Sequence, residues 1–360
     1  MSGRAKAGGF RPSQGRHITT PKLKDMVLRS IAIPSICFPS VTSLELDMGL
    51  KNRIPVLNCL FGMSQLVKLS ISDYNFSPHP KTHSITFPNL KEFDIKGDSE
   101  RVVSILNSIT IPQRCSFYPS ISFAAVDVKQ QVNNYTACVE KHLDKILAGL
   151  EPEVCLTVEA TSRTFIFSNV IPETGLYVKI QAPFSVQIEH PQGSVNEWKT
   201  VVDLMYRFVL KRNHSKIECL ALDIDPLFAE KKPMYGKDPL ADLLHSLSET
   251  VTDLFPSLNS YEVLERIQNA NPGVNLLPLA SRMSPQYNDH DGELRQHYAL
   301  HRAAVHKFVA HRNSLGFLIE VVDISSWPRE LDAKEFQDYL SSADPEVGVE
   351  RDTLTLAPDW

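Results

Sequence analysis

Histidines at positions 297, 301, 306 and 311 are the first side chains that could do chemistry. His297 and His301 stand four apart, so on a helix they share a face and could hold one metal ion. The run HYALH places Tyr298 and Ala299 between them, where a zinc protease needs its general-base glutamate. Hydrolytic metal chemistry therefore lacks its base. His301, His306 and His311 are five apart, about 140° per step, which scatters them around the helix. A solvated or partly buried helix face is expected. Asp289-His290-Asp291-Gly292-Glu293 clusters oxygen ligands, but the twelve-residue frame of a calcium loop is missing. A polar loop with a helix cap is the simpler reading.

Cysteines at 37, 59, 115, 138, 155 and 219 include no C-x-x-C pair, so the ligand spacing of a zinc ribbon is absent. Each has apolar neighbours and no secretory signal precedes them, which predicts reduced, mostly buried thiols. The chain has no G-x-x-x-x-G-K, no G-x-G-x-x-G and no G-x-S-x-G. Serine, histidine and aspartate occur without a nucleophile elbow, so no triad is nominated. No catalytic residue, metal ligand or cofactor follows from the sequence.

What remains is architecture. The chain has 360 residues, 42% of them apolar and 22% charged, a globular composition. Its net charge is −5, which argues against a generally basic nucleic-acid-binding surface. Nothing approaches the roughly 18 apolar residues of a membrane span. No membrane partner is expected, and the location expected is intracellular, cytoplasmic or nuclear. Arg4, Lys6, Arg11, Arg16, Lys22 and Lys24 precede the first acidic residue, Asp25. Setting these six cations aside leaves the remaining chain at −11. Gly8, Gly9, Pro12 and Gly15 break helical continuity, so residues 1–20 are expected to form a disordered basic tail.

Four segments share one apolar template: Leu23-x-x-Met26-x-Leu28, Val41-x-x-Leu44-x-Leu46, Leu66-x-x-Leu69-x-Ile71 and Leu90-x-x-Phe93-x-Ile95. Their first positions are 18, 25 and 24 residues apart, the range of leucine-rich repeats. The bare template is common at this apolar content, but a Phe-Pro prefix sharpens it. FPSVTSLEL, FPNLKEFDI and FPSLNSYEV begin at Phe38, Phe87 and Phe255 and continue alike. Proline suits the start of an extended segment. Alternation then turns Leu44, Leu46, Leu69, Ile71, Phe93 and Ile95 inward. It leaves Glu45, Asp47, Lys68, Ser70, Glu92 and Asp94 outward, on the concave sheet that solenoids use for binding.

Returns follow the strands. Ile54–Met63 is apolar and helix-compatible. Asp98–Ile109 can be capped by Asp98 or Ser99, and Val102, Ile105, Leu106 and Ile109 form a helical stripe. Further helices are expected over Gln130–Leu150 and Val195–Lys211, the latter with Trp198 as a core anchor. Between them Val154–Val158, Arg163–Ile171 and Gly175–Glu189 alternate like strands. Asp225–Asp238 and Ser281–Gly292 read as loop-like insertions.

The phrase FPNLKEFDIKGDSERVVSILNSITIP resembles the leucine-rich-repeat region of fungal, basidiomycete-type F-box proteins. Gly97, Asp98, Ile105, Leu106, Ile109 and Pro112 match that family's strand, Gly-Asp, helix and proline phrase. In IECLALDID, Ile217, Leu220 and Leu222 restore the template, and VHKFVAHRNSLGFLIEVVDIS resembles the last helix-strand unit, followed by an acidic helix near Glu335. Two departures stand out. The Asn or Cys that follows a regular repeat strand is replaced by Ile31, Gly49, Tyr74 and Asp98, which implies an irregular solenoid. No F-box is found, and residues 1–22 are too short to hold one, so docking to the cullin-ligase adaptor is not carried over to any residue.

The expectation is an α/β fold: an irregular leucine-rich-repeat-like solenoid over residues 21–352, with a parallel inner sheet, outer helices and a C-terminal tail at 353–360. The resemblance implies a non-enzymatic module that recognises a protein partner, as substrate-recognition repeats do in ubiquitin ligases. The alternatives are a stand-alone repeat scaffold, or an α/β hydrolase or metal-binding protein.

Overall fold

Leu44, Leu46, Leu69, Ile71, Phe93 and Ile95 are all buried in the computed structural model, and the strand residues that alternate with them are half-exposed or exposed. The structure describes residues 24–29, 40–47, 60, 62–72, 84–123, 127–148, 154–169, 184–189, 195–212, 217–228, 238–270, 276–285, 294–325, 327 and 333–350. Both tails, most of Ile54–Met63 and the Asp289–Glu293 loop lie outside the described residues.

Strands in the first third are β1 (Asp25–Arg29), β2 (Ser43–Asp47), β3 (Lys68–Ser72), β4 (Ile85–Thr86), β5 (Glu92–Asp98), β6 (Ile109–Thr110) and β7 (Ser116–Ser122). The middle holds β8 (Val154–Ala160), β9 (Thr164–Ser168), β10 (Ser185–Glu189) and β11 (Ile217–Ile224). The last are β12 (Asp253–Pro256), β13 (Arg282–Met283), β14 (Val321–Asp323) and β15 (Gly348–Glu350). The helices are α1 (Ser99–Ser108), α2 (Val128–Ala148), α3 (Val195–Leu210), α4 (Pro239–Ser246), α5 (Leu258–Ala270), α6 (Leu294–Ser314) and α7 (Ala333–Leu340).

Among the described residues, thirteen strands form one sheet in the order β1-β2-β3-β5-β7-β10-β9-β8-β11-β12-β13-β14-β15, and β4 pairs with β6 separately. Neighbouring strands are parallel except at β9, which runs antiparallel to β8 and β10. Strands are added in one direction along the sheet except in the middle, where β10, β9 and β8 lie in reverse order between β7 and β11. The helices between parallel strands pack against the buried face of the sheet. Accordingly α1 packs on β5 and β7, α3 on β9, α5 on β11 and β12, and α7 on β15.

One backbone pattern recurs at the strand starts. The Lys24 carbonyl accepts N–H groups from Thr42 and Ser43, Thr42 accepts from Val67 and Lys68, and Val67 accepts from Lys91 and Glu92. Beyond the middle strands, Thr252 accepts from Ser281 and Arg282, and Ser281 accepts from Glu320 and Val321. A tight turn also precedes several strands, closed by Leu66 N–H to Met63, Leu90 to Phe87, Cys115 to Pro112 and Ala280 to Leu277. Successive units therefore start their strands with the same hydrogen bonds and the same buried apolar residue.

The helices follow from their apolar stripes. Asp98 caps α1 by accepting the Arg101 N–H at 3.0 Å. Helix α2 buries Val132, Tyr135, Val139, Leu143 and Ile146, with the Tyr135 hydroxyl donating to the Pro119 carbonyl at 3.0 Å. In α3, Trp198 is buried as expected, and its Nε1 donates to the Thr161 carbonyl at 2.8 Å.

Two expectations are corrected. The sheet is not wholly parallel, because only Thr161–Arg163 separates β8 from β9, and a parallel pair needs a crossover of roughly a dozen residues. Thr161 Oγ1 accepts the Arg163 and Thr164 N–H groups and fixes that hairpin. The third Phe-Pro phrase also differs from the first two. Phe255-Pro256 ends β12 instead of preceding a strand, and LNSYEV opens α5. Its apolar residues Tyr261, Leu264 and Ile267 are spaced for a helix face, and Ser257 bonds Ser260 at the helix start.

Candidate binding face on the sheet

The six outward residues expected from alternation all lie on the sheet face away from the helices. Ladder register aligns Glu45 with Ser70 and Ser70 with Asp94, one strand to the next. Lys68 aligns with Glu92 and pairs with it at 2.6 Å. Asp47 stands beside Ser72. The structure thus brings the six together as one patch over β2, β3 and β5.

The face continues well past that patch. Tyr118 on β7 follows Asp94 in register. Ser185, Ser168, Thr157 and Ala221 then succeed one another across β10, β9, β8 and β11, a low run of small side chains. Phe255 on β12 is next to Ala221 and half-exposed. Aromatic side chains flanking a shallow stretch are the type of surface that anchors protein partners.

Carboxylates dominate this face. Lys96 bridges to Glu189 at 2.6 Å, linking β5 to β10 across 93 residues of chain. Glu159 on β8 is the register neighbour of Asp223 on β11, and among the described residues neither forms an ion pair with a cation. Burial, joined by the Asp223 charge, raises the Glu159 carboxyl above its ordinary range, against a 2.9 Å bond donated by Thr164. Asp94 is raised as well: burial and the Glu92 charge outweigh the Ser70 hydroxyl and the two lysines. At the far end Arg282 lies among three carboxylates, 3.8 Å from Asp253, 3.2 Å from Asp323 and 3.1 Å from Glu350.

The sequence reading missed this second half. Alternation in IECLALDID marked Asp223 as outward, so that signal was present. Arg282 and Glu350 sit on strands of two and three residues, too short for alternation to show.

The histidines do not converge. His301 is buried with its ring 6.1 Å from that of Trp327. His306 bonds the Ser342 hydroxyl at 2.8 Å and leans on Tyr339. His311 lies beside Arg312, and the side chain of His297 is outside the described residues. No group of three or more metal-ligating side chains occurs among the described residues. Cys115, Cys138, Cys155 and Cys219 are free thiols, the first three buried, while Cys37 and Cys59 lie outside the described residues. Burial raises the Cys115 thiol to about 12 and Cys138 to about 11, values of packed rather than reactive sulfur. No described helix is long and apolar enough to cross a membrane.

The chain matches no protein-family model, no curated protein and no solved structure.

Proposed function

We propose that this chain is a non-enzymatic protein-interaction module, an irregular leucine-rich-repeat-like solenoid whose helix-free sheet face binds a lysine- and arginine-rich segment of a partner protein. The observation that carries the reading is the charge of that face. Among the described residues Glu159 and Asp223 line it without an ion-paired cation, and the lysines near Asp94 (Lys68 and Lys96) are engaged with Glu92 and Glu189, as Arg282 is with Asp323. A basic partner would supply the missing cations and relieve the like-charge contact between Glu159 and Asp223.

The repeating strand-start hydrogen bonds support the solenoid part of the proposal, because they are what stacking of equivalent units produces. The resemblance to fungal F-box repeats supports a narrower role, substrate recognition for ubiquitin ligation. A stand-alone scaffold shares the face and lacks the ligase. The non-enzymatic reading rests on the sequence, which carries no phosphate loop or nucleophile elbow.

A photo-reactive residue placed at Ser72 or Thr157 tests the face directly. The expected result is partner cross-links from those positions and none from the exposed helix positions Glu100 and Glu262. Cross-links confined to the helix positions would refute the proposal. Binding of purified cullin adaptor to the full chain then separates the ligase role from the scaffold.

A further inference from the structure

Arg312, near the end of α6, is 6% exposed, yet the described residues give it no carboxylate partner. Its Nη1 donates to the Leu276 carbonyl at 2.9 Å, and its Nη2 donates to Leu277 at 3.1 Å and Ala280 at 3.2 Å. Those carbonyls belong to the turn that starts β13. The turn is strained at Leu277, a branched residue held at φ 49. Among the described residues, the buried Arg312 Nε has no hydrogen-bond partner, and neither has the buried Nε2 of the neighbouring His311.

Both residues line one cavity of about 20 Å³. Leu254, Leu264 and Phe308 form its apolar side, and among the described residues Gln268 is the other polar one and no carboxylate borders it. A space of this size holds one water-sized or halide-sized occupant. Water would satisfy the idle N–H of Arg312 but leave its charge among carbonyl dipoles and the Phe317 ring, 5.4 Å from Cζ, with no anion. A buried charge without a counter-charge is costly in a poorly solvated interior. Burial lowers Arg312 to about 10 with no opposing carboxylate, consistent with a cation that lacks its counter-ion.

We propose that this cavity binds a single halide-sized anion, chloride, held by Arg312 Nε–H and by His311 in the tautomer that carries its proton on Nε2. The anion completes the charge balance of Arg312, which clamps the strained Leu277 turn. That turn leads into β13, so the site also supports the position of Arg282 among Asp253, Asp323 and Glu350 on the sheet face. The inference is independent of what that face binds.

Chloride-35 NMR line width of the full chain, titrated with sodium chloride against sodium gluconate at constant ionic strength, tests it. The expected result is saturable excess broadening that bromide competes away and that is lost in Arg312→Met. Should Arg312→Met fail to fold, His311→Phe leaves the buried cation in place and is expected to reduce the broadening. A folded wild-type chain without saturable broadening would mean water alone and overturn the proposal. Broadening undiminished in both variants would overturn it as well, by placing chloride elsewhere.

Discussion

Ser70 on β3 gives its hydroxyl hydrogen to Asp94 on β5 across 3.2 Å, although 24 residues separate them in the chain. That interval is the repeat length, written as a hydrogen bond. Glu45 stands next in the same row, so three residues from three units share one line on the surface. The buried line directly beneath comprises Leu44, Leu69, Phe93 and Phe117. Core and surface are thus two readings of one periodicity, and substitutions in the two lines should differ sharply.

Phe93→Ala is expected to destabilise the chain by about 3–5 kcal/mol, because the ring is fully buried and stacks on Phe117 at 6.1 Å. Lys68→Ala, one residue before the buried Leu69, removes a solvent-facing ion pair and should cost no more than about 1 kcal/mol. Urea unfolding of both variants checks the register. Comparable losses would mean the alternation is misassigned.

Arg212 makes an asymmetric prediction. Its buried guanidinium pairs with Glu140 and Asp144 of α2, whose side chains are about half exposed. Arg212→Met frees two carboxylates that regain water, at an expected cost of about 1–3 kcal/mol. The double variant Glu140→Ala/Asp144→Ala leaves the cation buried and unpaired, for which about 3–5 kcal/mol is expected. Denaturation midpoints should therefore rank the double acid variant as the less stable.

His142 makes the α1–α2 contact pH-sensitive. Its Nε2–H donates to the Leu106 carbonyl at 3.3 Å, the ring tilts against Phe117, and the buried Nδ1 has no partner among the described residues. Burial holds the imidazole below its ordinary value of 6.5, Lys145 and Lys141 add to the depression, and the Leu106 bond opposes it. The unfolded chain takes up this proton more readily, so the contribution is complete above about pH 6.5 and is lost as pH falls below it. Asp94 and Glu159, raised in the fold, act with the opposite sign at lower pH. The wild-type minus His142→Leu difference in unfolding free energy isolates the histidine, and it should shrink between pH 7 and pH 5.5. A constant difference would contradict the assignment.

The repeat units from Val41 to Ile95 were legible because the strand template and its burial coincide at every position. Leu66, Leu69 and Ile71 are each buried as the template requires. The reversal at β9 was not legible, since an alternating strand has the same pattern in either direction. FPSLNSYEV misled because Pro suits both the last residue of a strand and the approach to one, and the helical spacing of Tyr261, Leu264 and Ile267 carried the deciding information. The carboxylate ring around Arg282 depends on three strands meeting, which no local window contains.

Recognition of a basic protein segment by the helix-free face is the proposal on which the other functional readings depend. Fluorescence anisotropy of a labelled, unstructured lysine- and arginine-rich peptide tests it most directly. Wild type should bind, with affinity that falls as salt rises. Asp94→Lys/Asp223→Lys should weaken binding about tenfold or more, equivalent to about 1.4 kcal/mol, while Glu100→Lys/Glu262→Lys at exposed helix positions should leave it nearly unchanged. Equal losses in the two folded double variants, or a face variant that binds like wild type, would contradict the claim.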